Sequence, residues 1–468
     1  MAVRHWQNVN LSGPGQVEHL LKDRAFVCLI PQTGQALGFA MPYSELEKIG
    51  VKNAIQALAE LPDFNQAHTV IKVLCQAQLK VDFEKGLPSS LESRVVEFGR
   101  DPHIQFLPDE NRLRVSQSRK IRLLIVDDSP TIQKILRMIV ESDPNLEVAG
   151  VTGKPLEVKA MIEKLKPDVM TLDIHMPDMT GVELLKALPR ELMIPTIVIT
   201  SLNKGEGPLV LEALENGALD YIHKPSLDQI DQVTNLIVEK IKALGEVRTG
   251  PVVKARKVLP AVKAEAGTDM RRVIAIGSST GGTEALRVLL TSFPPEIPPV
   301  VVVQHIPAIF SAALAQRLNS LVPFEVKEAV DGDLLEKNLV LIAPGGYQMK
   351  VVEASGGQFK VKVDKSPPVN RHQPSVDVLF DSVAKTLGRG AMGVIMTGMG
   401  ADGAKGLKAM RDAGARTIAQ NEDSCVVFGM PKEAIRLGAA EFVEHLNSIP
   451  KKVFELLRES KKKLNRSA

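Results

Sequence analysis

Between residues 121 and 244 short apolar runs alternate strictly with stretches of helical period, and few architectures accept that pattern. The runs fall at residues 121–126, 147–151, 169–172, 196–200 and 219–222. Helical patterns occupy 131–140, 156–165, 181–188, 207–215 and 228–244. Strands joined through helices run parallel with right-handed crossovers, so five such units predict a doubly wound sheet covered on both faces. In such a sheet the residues just past the strands' carboxyl ends share one rim. Here Asp127 and Asp128 follow the first run, Asp173 the third, Thr200 ends the fourth, and Lys224 lies just after the fifth. A lone Asp-Asp pair is most often a helix cap, but three carboxylates on one rim would repel each other unless a hard cation neutralised them. Mg²⁺, which favours carboxylates and water, suits that role. A lysine and a threonine hydroxyl beside them would hold the oxygens of a phosphoryl group.

A second alternating region runs from Arg272 to about Leu457. Its first strand pattern, V-I-A-I, stops at Gly277-Ser278-Ser279-Thr280-Gly281 before a helical stretch at 283–290. The turn fits G-x-S-x-G with Ser279 at its centre, an elbow that lifts a serine hydroxyl clear of the sheet. The same residues also suit a phosphate cradle at a helix N-terminus, or a plain helix cap by Ser279 or Thr280. Partners elsewhere decide. The run at 300–303 ends in Gln304-His305-Ile306-Pro307, and the run at 392–396 ends in Thr397-Gly398-Met399-Gly400-Ala401-Asp402-Gly403. Ser279, His305 and Asp402 each therefore lie just beyond a predicted strand. Serine is a poor nucleophile at neutral pH; a histidine must take its proton, and a carboxylate must orient that imidazole and stabilise its charged form. His372, in R-H-Q-P-S-V-D, is the rival base, but it sits in a loop rather than at a strand end, so His305 is preferred. His445 follows Glu441 and Glu444 and is expected on the surface.

Composition narrows the remaining classes. The 468 residues accommodate about three domains. With a net charge of only +3, the chain has no general electrostatic reason to bind nucleic acid or an anionic membrane. Its 3 cysteines, Cys28, Cys75 and Cys425, are scattered and odd in number, which argues against a disulfide framework and for a reducing compartment. No apolar signal segment follows Met1 and no run is long enough to span a bilayer, so the expectation is a cytoplasmic protein without membrane insertion. Residues 1–118 carry no catalytic constellation. A strand is expected at 24–30, a helix at 43–61 and a second helix or mixed segment at 65–80, together a small α+β module for docking or regulation. His68 and His103 read as surface or satisfied core histidines. Residues 245–271 lose all periodicity; the stretch reads as an extended solvated linker.

The words V-D-D-S-P, L-D-I-H-M-P, I-T-S-L and H-K-P-S resemble those of two-component receiver domains. That resemblance implies Asp173 as phosphoacceptor, with Asp127, Asp128, Asp173 and the backbone carbonyl of His175 around Mg²⁺. It makes Thr200 and Lys224 the phosphoryl contacts and Tyr221 the switch aromatic. In the second region the order Ser, His, Asp differs from that of α/β-hydrolases. The words I-G-S-S-T-G-G, Q-H-I-P, I-A-P-G-G, N-R-H-Q-P-S-V-D, T-G-M-G-A-D-G and Q-N-E-D-S-C-V-V-F-G-M-P resemble the chemotaxis protein-glutamate methylesterases. This implies a triad of Ser279, His305 and Asp402, and oxyanion donors from the backbone of Thr280 and Met399.

The expectation is thus an α/β chain with two doubly wound parallel-sheet domains after the small N-terminal module. Its segments are 1–118, a receiver at 119–244, a linker at 245–271, and a serine methylesterase domain with a basic tail at 272–468. The resemblance implies hydrolysis of glutamate methyl esters on methyl-accepting chemotaxis receptors, and deamidation of receptor glutamines. A histidine kinase would supply the phosphoryl group, and ester hydrolysis would need no cofactor. The alternative is a response regulator whose last domain only binds protein. A receiver-bearing transcription factor is disfavoured, because no short basic helical module is present.

Overall fold

The computed structural model describes residues 120–201, 206–224, 230–245 and 268–464, with side chains from 233 in the third stretch and up to 458 in the fourth, and the backbone of seven short strands within 1–119. Residues 1–119 and 120–468 form two separate compact units.

In the first unit, β1 (Gln7–Val9), β2 (Arg24–Pro31), β3 (Leu37–Pro42), β4 (His68–Leu74) and β5 (Ser93–Val96) form one sheet in the order β1-β3-β2-β4-β5. Its pairs are antiparallel apart from β4 with β5. β6 (Ile104–Leu107) and β7 (Arg112–Val115) make a separate hairpin. The expected strand at 24–30 is β2. Of the helix or mixed segment expected at 65–80, residues 68–74 form the strand β4, whose Thr69-Val70-Ile71 run is stiff at χ1 and suits a pleated sheet, and the rest lies outside the described residues. The helix expected at 43–61, and His103, lie outside the described residues, as does 246–267, most of the expected linker.

In the second unit, β8 (Ile121–Val126), β9 (Leu146–Thr152), β10 (Val169–Asp173), β11 (Thr196–Thr200) and β12 (Asp220–His223) form a wholly parallel sheet in the order β12-β11-β10-β8-β9. This is the five-strand, doubly wound order whose ligand crevice opens between the first and third strands. Helices α1 (Pro130–Glu141) and α5 (Ile230–Gly245) cover one face, with Ile135, Leu136, Ile139, Ile237 and Ile241 packed on Leu123, Ile125, Ile197 and Ile199. Helices α2 (Val158–Leu165), α3 (Gly181–Ala187) and α4 (Gly207–Glu215) cover the other. The strands are apolar almost throughout because both faces are buried.

The third sheet has seven parallel strands: β13 (Val273–Ser278), β14 (Val300–Gln304), β15 (Glu325–Glu328), β16 (Leu339–Ile342), β19 (Ala391–Ile395), β20 (Arg416–Gln420) and β21 (Phe442–Glu444). Between β16 and β19 the hairpin of β17 (Gln348–Glu353) and β18 (Phe359–Asp364) stands apart. The order is β15-β16-β14-β13-β19-β20-β21, so the chain starts at the centre, builds outward through β14, then returns to build the other half. β13 is the turning point, and the crevice past its carboxyl end is where such sheets bind ligands. Helices α6 (Gly282–Thr291), α7 (Ala308–Asn319), α8 (Val376–Leu387), α9 (Ala404–Asp412), α10 (Met430–Arg436) and α11 (Ile449–Leu464) pack on its faces. One continuous apolar cluster joins Val210, Leu211 and Tyr221 on the second sheet's side to Phe310, Leu314 and Leu318 of α7. Among the described residues no helix is long and apolar enough to cross a membrane.

Candidate active site

β13 ends at Ser278 and pairs with β14 up to the register Ser278 to Gln304, so the next residues on each strand are Ser279 and His305. The serine turn is tied down from three sides. Its N–H donates to the Thr397 carbonyl past β19 (3.0 Å), and its carbonyl accepts from Gln304 Nε2 (2.9 Å) and from the Gly282 N–H that opens α6 (2.7 Å). Gly281 makes the turn with φ of +74°, a conformation that side chains disfavour. The His305 N–H donates to the Ser278 carbonyl (3.1 Å), which fixes the histidine beside the elbow.

The His305 ring is buried, and its Nε2 meets Asp402 Oδ2 at 2.8 Å. A carboxylate there selects the tautomer protonated on Nε2 and leaves the Nδ1 lone pair free. Nδ1 is itself buried and has no hydrogen-bond partner. A buried, unpaired imidazole nitrogen can accept a hydroxyl proton, although no hydrogen bond joins it to the Ser279 hydroxyl among the described residues.

Asp402 follows β19 and lies against the start of α8. It accepts from Asn370 Nδ2 (2.6 Å), Ser375 Oγ (2.7 Å) and the Val376 N–H (2.6 Å). Burial works to raise its carboxyl, but His305 and these donors win and hold it at about 2. The helix N-terminus adds its positive end to the same site. Asp402 is therefore a fixed anion on which an imidazolium can form.

His372 stacks on His305, with ring centroids 3.7 Å apart and planes 8° from parallel. Burial, then the neighbouring His305, holds His372 down at about 4, so it is neutral near pH 7. The backbone N–H groups of Thr280 and Met399 donate to no protein acceptor among the described residues and flank the serine turn. His445 lies apart, at the start of a short turn, with its Nδ1 accepting from the Asn447 N–H (3.2 Å).

The second cluster sits on the other parallel sheet. Asp127, Asp128 and Asp173 bring ligand oxygens within 4.8 Å of one another. Lys224 Nζ lies 2.6 Å from Asp173 Oδ2 and 3.5 Å from Asp127 Oδ2. Burial first, then the neighbouring Asp173, pushes Asp127 up to about 6, and burial also raises Asp173 against the pull of Lys224. Asp127 Oδ2 is buried without a hydrogen-bond partner. A buried carboxylate oxygen without a hydrogen bond, met only by Lys224 at 3.5 Å and set among mutually repelling acids, fits a small divalent cation. The His175 imidazole turns away, 3.6 Å from Glu206, while its N–H donates to Asp173 Oδ1 (3.3 Å).

Several participants had no strong sequence signal. Glu206 receives the hydroxyls of Thr200 and Ser201. Asp220 accepts from Thr280 Oγ1 (2.5 Å), and the Gly281 N–H donates to the Leu219 carbonyl (3.2 Å), so the serine turn is bonded directly to the neighbouring sheet. The Tyr221 ring meets Phe310 of α7 edge to face at 5.2 Å.

Residues 274–453 match the CheB methylesterase family, and residues 123–235 match the response regulator receiver domain family. A protein-glutamate methylesterase/protein-glutamine glutaminase of Syntrophotalea carbinolica is 44% identical over 349 residues, 73% of this chain and 99% of its own. One from Vibrio vulnificus is 44% identical over 346 residues, with 73% and 99% covered. The crystal structure of the Thermotoga maritima CheB methylesterase catalytic domain is 40% identical, over 40% of this chain and 98% of that one, with a TM-score of 0.39. With nearly the full length of these curated relatives matched, the chain belongs to the receiver-bearing protein-glutamate methylesterase family.

Proposed function

We propose that this protein is a phosphorylation-controlled serine hydrolase that removes methyl esters from glutamate side chains of methyl-accepting chemotaxis receptors and deamidates receptor glutamines by the same attack. As a member of its family it is a hydrolase joined to a receiver. The observation that carries the chemistry is His305, whose backbone is bonded to Ser278, whose Nε2 meets Asp402 and whose Nδ1 is buried and unpaired.

On this reading the Ser279 hydroxyl attacks the ester carbonyl while His305 Nδ1 takes its proton. The imidazolium forms against Asp402, and the oxyanion is met by the backbone N–H groups of Thr280 and Met399. Such a donor is worth about 3–4 kcal/mol in well-studied hydrolases. His305 then gives the proton to the leaving methoxide, releasing methanol, and a water deprotonated by His305 cleaves the acyl-serine. A glutamine would lose ammonia at the same step.

Residues 119–244 would act as the receiver, with Asp173 accepting a phosphoryl group from a histidine kinase. Asp127, Asp128, Asp173 and the His175 carbonyl would hold Mg²⁺, which when bound supplies the charge neutralisation that lets the phosphoryl group approach. Lys224 and Thr200 would hold its oxygens. We assign residues 272–468 to the esterase, 245–271 to the linker and 1–118 to docking or regulation, and place the protein in the cytoplasm, where such a kinase works. A last domain that merely binds protein is not favoured by the family match.

The deciding test is mass spectrometry of receptor peptides, methylated on glutamate, before and after incubation with the phosphodonor-treated chain. Loss of the methyl group, abolished in Ser279→Ala, supports the reading. Peptides unchanged by the folded, phosphorylated protein would exclude it.

A further inference from the structure

We propose that His372 is a positioning residue for the base: a neutral imidazole laid flat on His305 that fixes the plane in which the base presents one nitrogen to Asp402 and the other to the serine. The inference rests on the function proposed above, and no part of that function uses His372.

The contact is a direct face-to-face one: the two rings lie 3.7 Å apart and 8° from parallel, the van der Waals separation of stacked planes, with no room between them. A ring that hydrogen-bonds through Nε2 alone can still rotate about that bond. A parallel ring on its face removes that freedom, because any rotation drives the two planes together. Nδ1 of His305, which has no hydrogen bond to steer it, then keeps its aim.

The loop carrying His372 is built for this placement. Val369 and His372 exchange both backbone hydrogen bonds (3.0 and 2.8 Å) around Asn370 and Arg371, which have φ of +52° and +67°. Two consecutive left-handed residues are what a two-residue hairpin turn of the primed type requires, and neither is glycine. Local strain of this kind persists only where the surroundings over-determine it. Here they do. The Asn370 side-chain amide bridges Asp402 (2.6 Å) and Asp377 (2.8 Å), and the fully buried Gln348 donates to the His372 carbonyl (3.1 Å) while its oxygen accepts from the Ser375 N–H (2.9 Å). The turn that fixes the height of the His372 ring is thus anchored on the same carboxylate that orients His305.

Charge agrees with a passive ring. The charged and titratable groups that act on His372 are His305 beneath it, Asp402 beyond, Arg371 on its own turn and Lys240 on α5. No protein group hydrogen-bonds its ring nitrogens among the described residues, so it has no orienting carboxylate and is poorly equipped to act as the base. Held neutral, its π face lies against the imidazolium that forms on His305, a favourable pairing. Protonated, it would set two cations face to face.

The test uses the full chain treated with a small phosphodonor and Mg²⁺, and a glutamate-methyl-ester peptide as substrate. His372→Ala should lower kcat by about tenfold or more, the scale of loss for a mis-aimed catalytic group, with KM little changed. His372→Phe, which keeps a flat ring without nitrogens, should restore most of kcat. Circular dichroism confirms the fold of each variant, and His372→Phe carries the test if His372→Ala does not fold. Full kcat in folded His372→Ala overturns the proposal. So does a His372→Phe enzyme as slow as His372→Ala, which would mean that a ring nitrogen takes part. Ser279→Ala and His305→Ala run alongside: if they keep activity, the function proposed above has failed and the positioning role with it, whereas an effect absent only at His372 removes the positioning role alone.

Discussion

Thr280 gives its hydroxyl to the Asp220 carboxylate at 2.5 Å, so the residue after the elbow serine is bonded to the first residue of β12. The next peptide repeats the link, with the Gly281 N–H on the Leu219 carbonyl (3.2 Å). β12 runs on to His223, and Lys224 follows it, 2.6 Å from Asp173. One short strand therefore has Lys224 and the acidic cluster at one end and the serine turn at the other. On the function proposed above, a phosphoryl group on Asp173 would re-place Lys224, and β12 would carry that shift to Thr280. The bonds from Asp220 and Leu219 would then hold the serine turn in a less active arrangement until phosphorylation.

This predicts a partly unlocked enzyme from Asp220→Ala. A hydrogen bond to a charged group is worth about 1.5–3 kcal/mol, so activity without phosphodonor should rise about tenfold and the further gain on phosphorylation should shrink. Lys240, which pairs with Asp220 at 2.9 Å, keeps its contact with the Tyr221 carbonyl at 2.9 Å. Arg317→Ala is the control. Its bridge to Glu215 spans the same boundary, but Arg317 is 46% exposed, and exposed pairs contribute about 0–1 kcal/mol. Initial rates with and without phosphodonor measure both; unchanged basal activity in Asp220→Ala would remove the latch.

Asp402→Asn should lower kcat by about 10⁴-fold, the loss seen when the orienting carboxylate of a Ser-His-Asp site becomes an amide and the imidazole takes the wrong tautomer. Ser279→Ala and His305→Ala should abolish turnover with the fold intact. The pH behaviour of stability gives a second check. The folded-state carboxyl lies at about 2, below the usual 3.8, so its contribution is fully present above about pH 4 and is lost as pH falls through 2. Acid unfolding curves of Asp402→Asn should lack that part of the decline. A curve parallel to the parent's would contradict the assignment of Asp402 as a fixed anion.

Gly398→Ala should slow the enzyme without unfolding it. A β-carbon at this position would lie 2.3 Å from Met430 Sδ, 2.7 Å from Ser279 Cβ and 3.1 Å from Ser279 N. The methionine can swing aside, but the serine backbone is held by Thr397 and cannot. The added methyl must therefore strain the turn, which should lower Tm modestly on the scale of about 1–3 kcal/mol for overpacking, and whatever displacement it forces on the nucleophile should cost kcat about 10²-fold per ångström. An unaltered kcat would show that the turn has more room than its contacts imply.

Much of this site is legible in the sequence because strands advertise their ends. The apolar runs at 273–276, 300–303 and 392–396 give way to glycine and polar residues within a residue or two of the strand ends, so Ser279, His305 and Asp402 read as strand-end residues; that the three strands are neighbours, and the rim shared, is what the fold adds. The same logic locates Asp127, Asp128, Asp173, Thr200 and Lys224. What sequence cannot supply is contact between segments distant in the chain. Asn370 reaches Asp402 across 32 positions and Thr280 reaches Asp220 across 60, with no local periodicity to mark either. His372 reads as a loop residue, which it is, but its stack on His305 depends on a turn made by two left-handed residues that are not glycine. In the N-terminal unit the segment that departs from expectation is β4, where a short apolar run fits helix and strand equally well.

The last prediction separates the two chemistries by their need for metal. The acidic cluster is closely packed and self-repelling, and Asp127 Oδ2 has no hydrogen bond, so on the function proposed above phosphoryl transfer to Asp173 would draw on a cation there to offset the charge. Phosphate incorporation from a small donor should therefore need Mg²⁺, vanish in Asp173→Asn, and fall sharply in Asp128→Ala, which removes a ligand and leaves the buried acids in place. The esterase residues lie on the other sheet, and the roles proposed for Ser279, His305 and Asp402 are proton transfers and hydrogen bonds within the protein. Chelating the metal should accordingly cancel the stimulation by phosphodonor while basal hydrolysis of a methyl-ester peptide continues at its former rate. If basal hydrolysis stopped with chelation and returned on adding Mg²⁺, the division of labour between the sheets would be wrong. If phosphate still entered Asp173→Asn at the parent's level, the acceptor would lie elsewhere, and the strand linking Lys224 to Asp220 would lose its part in the control.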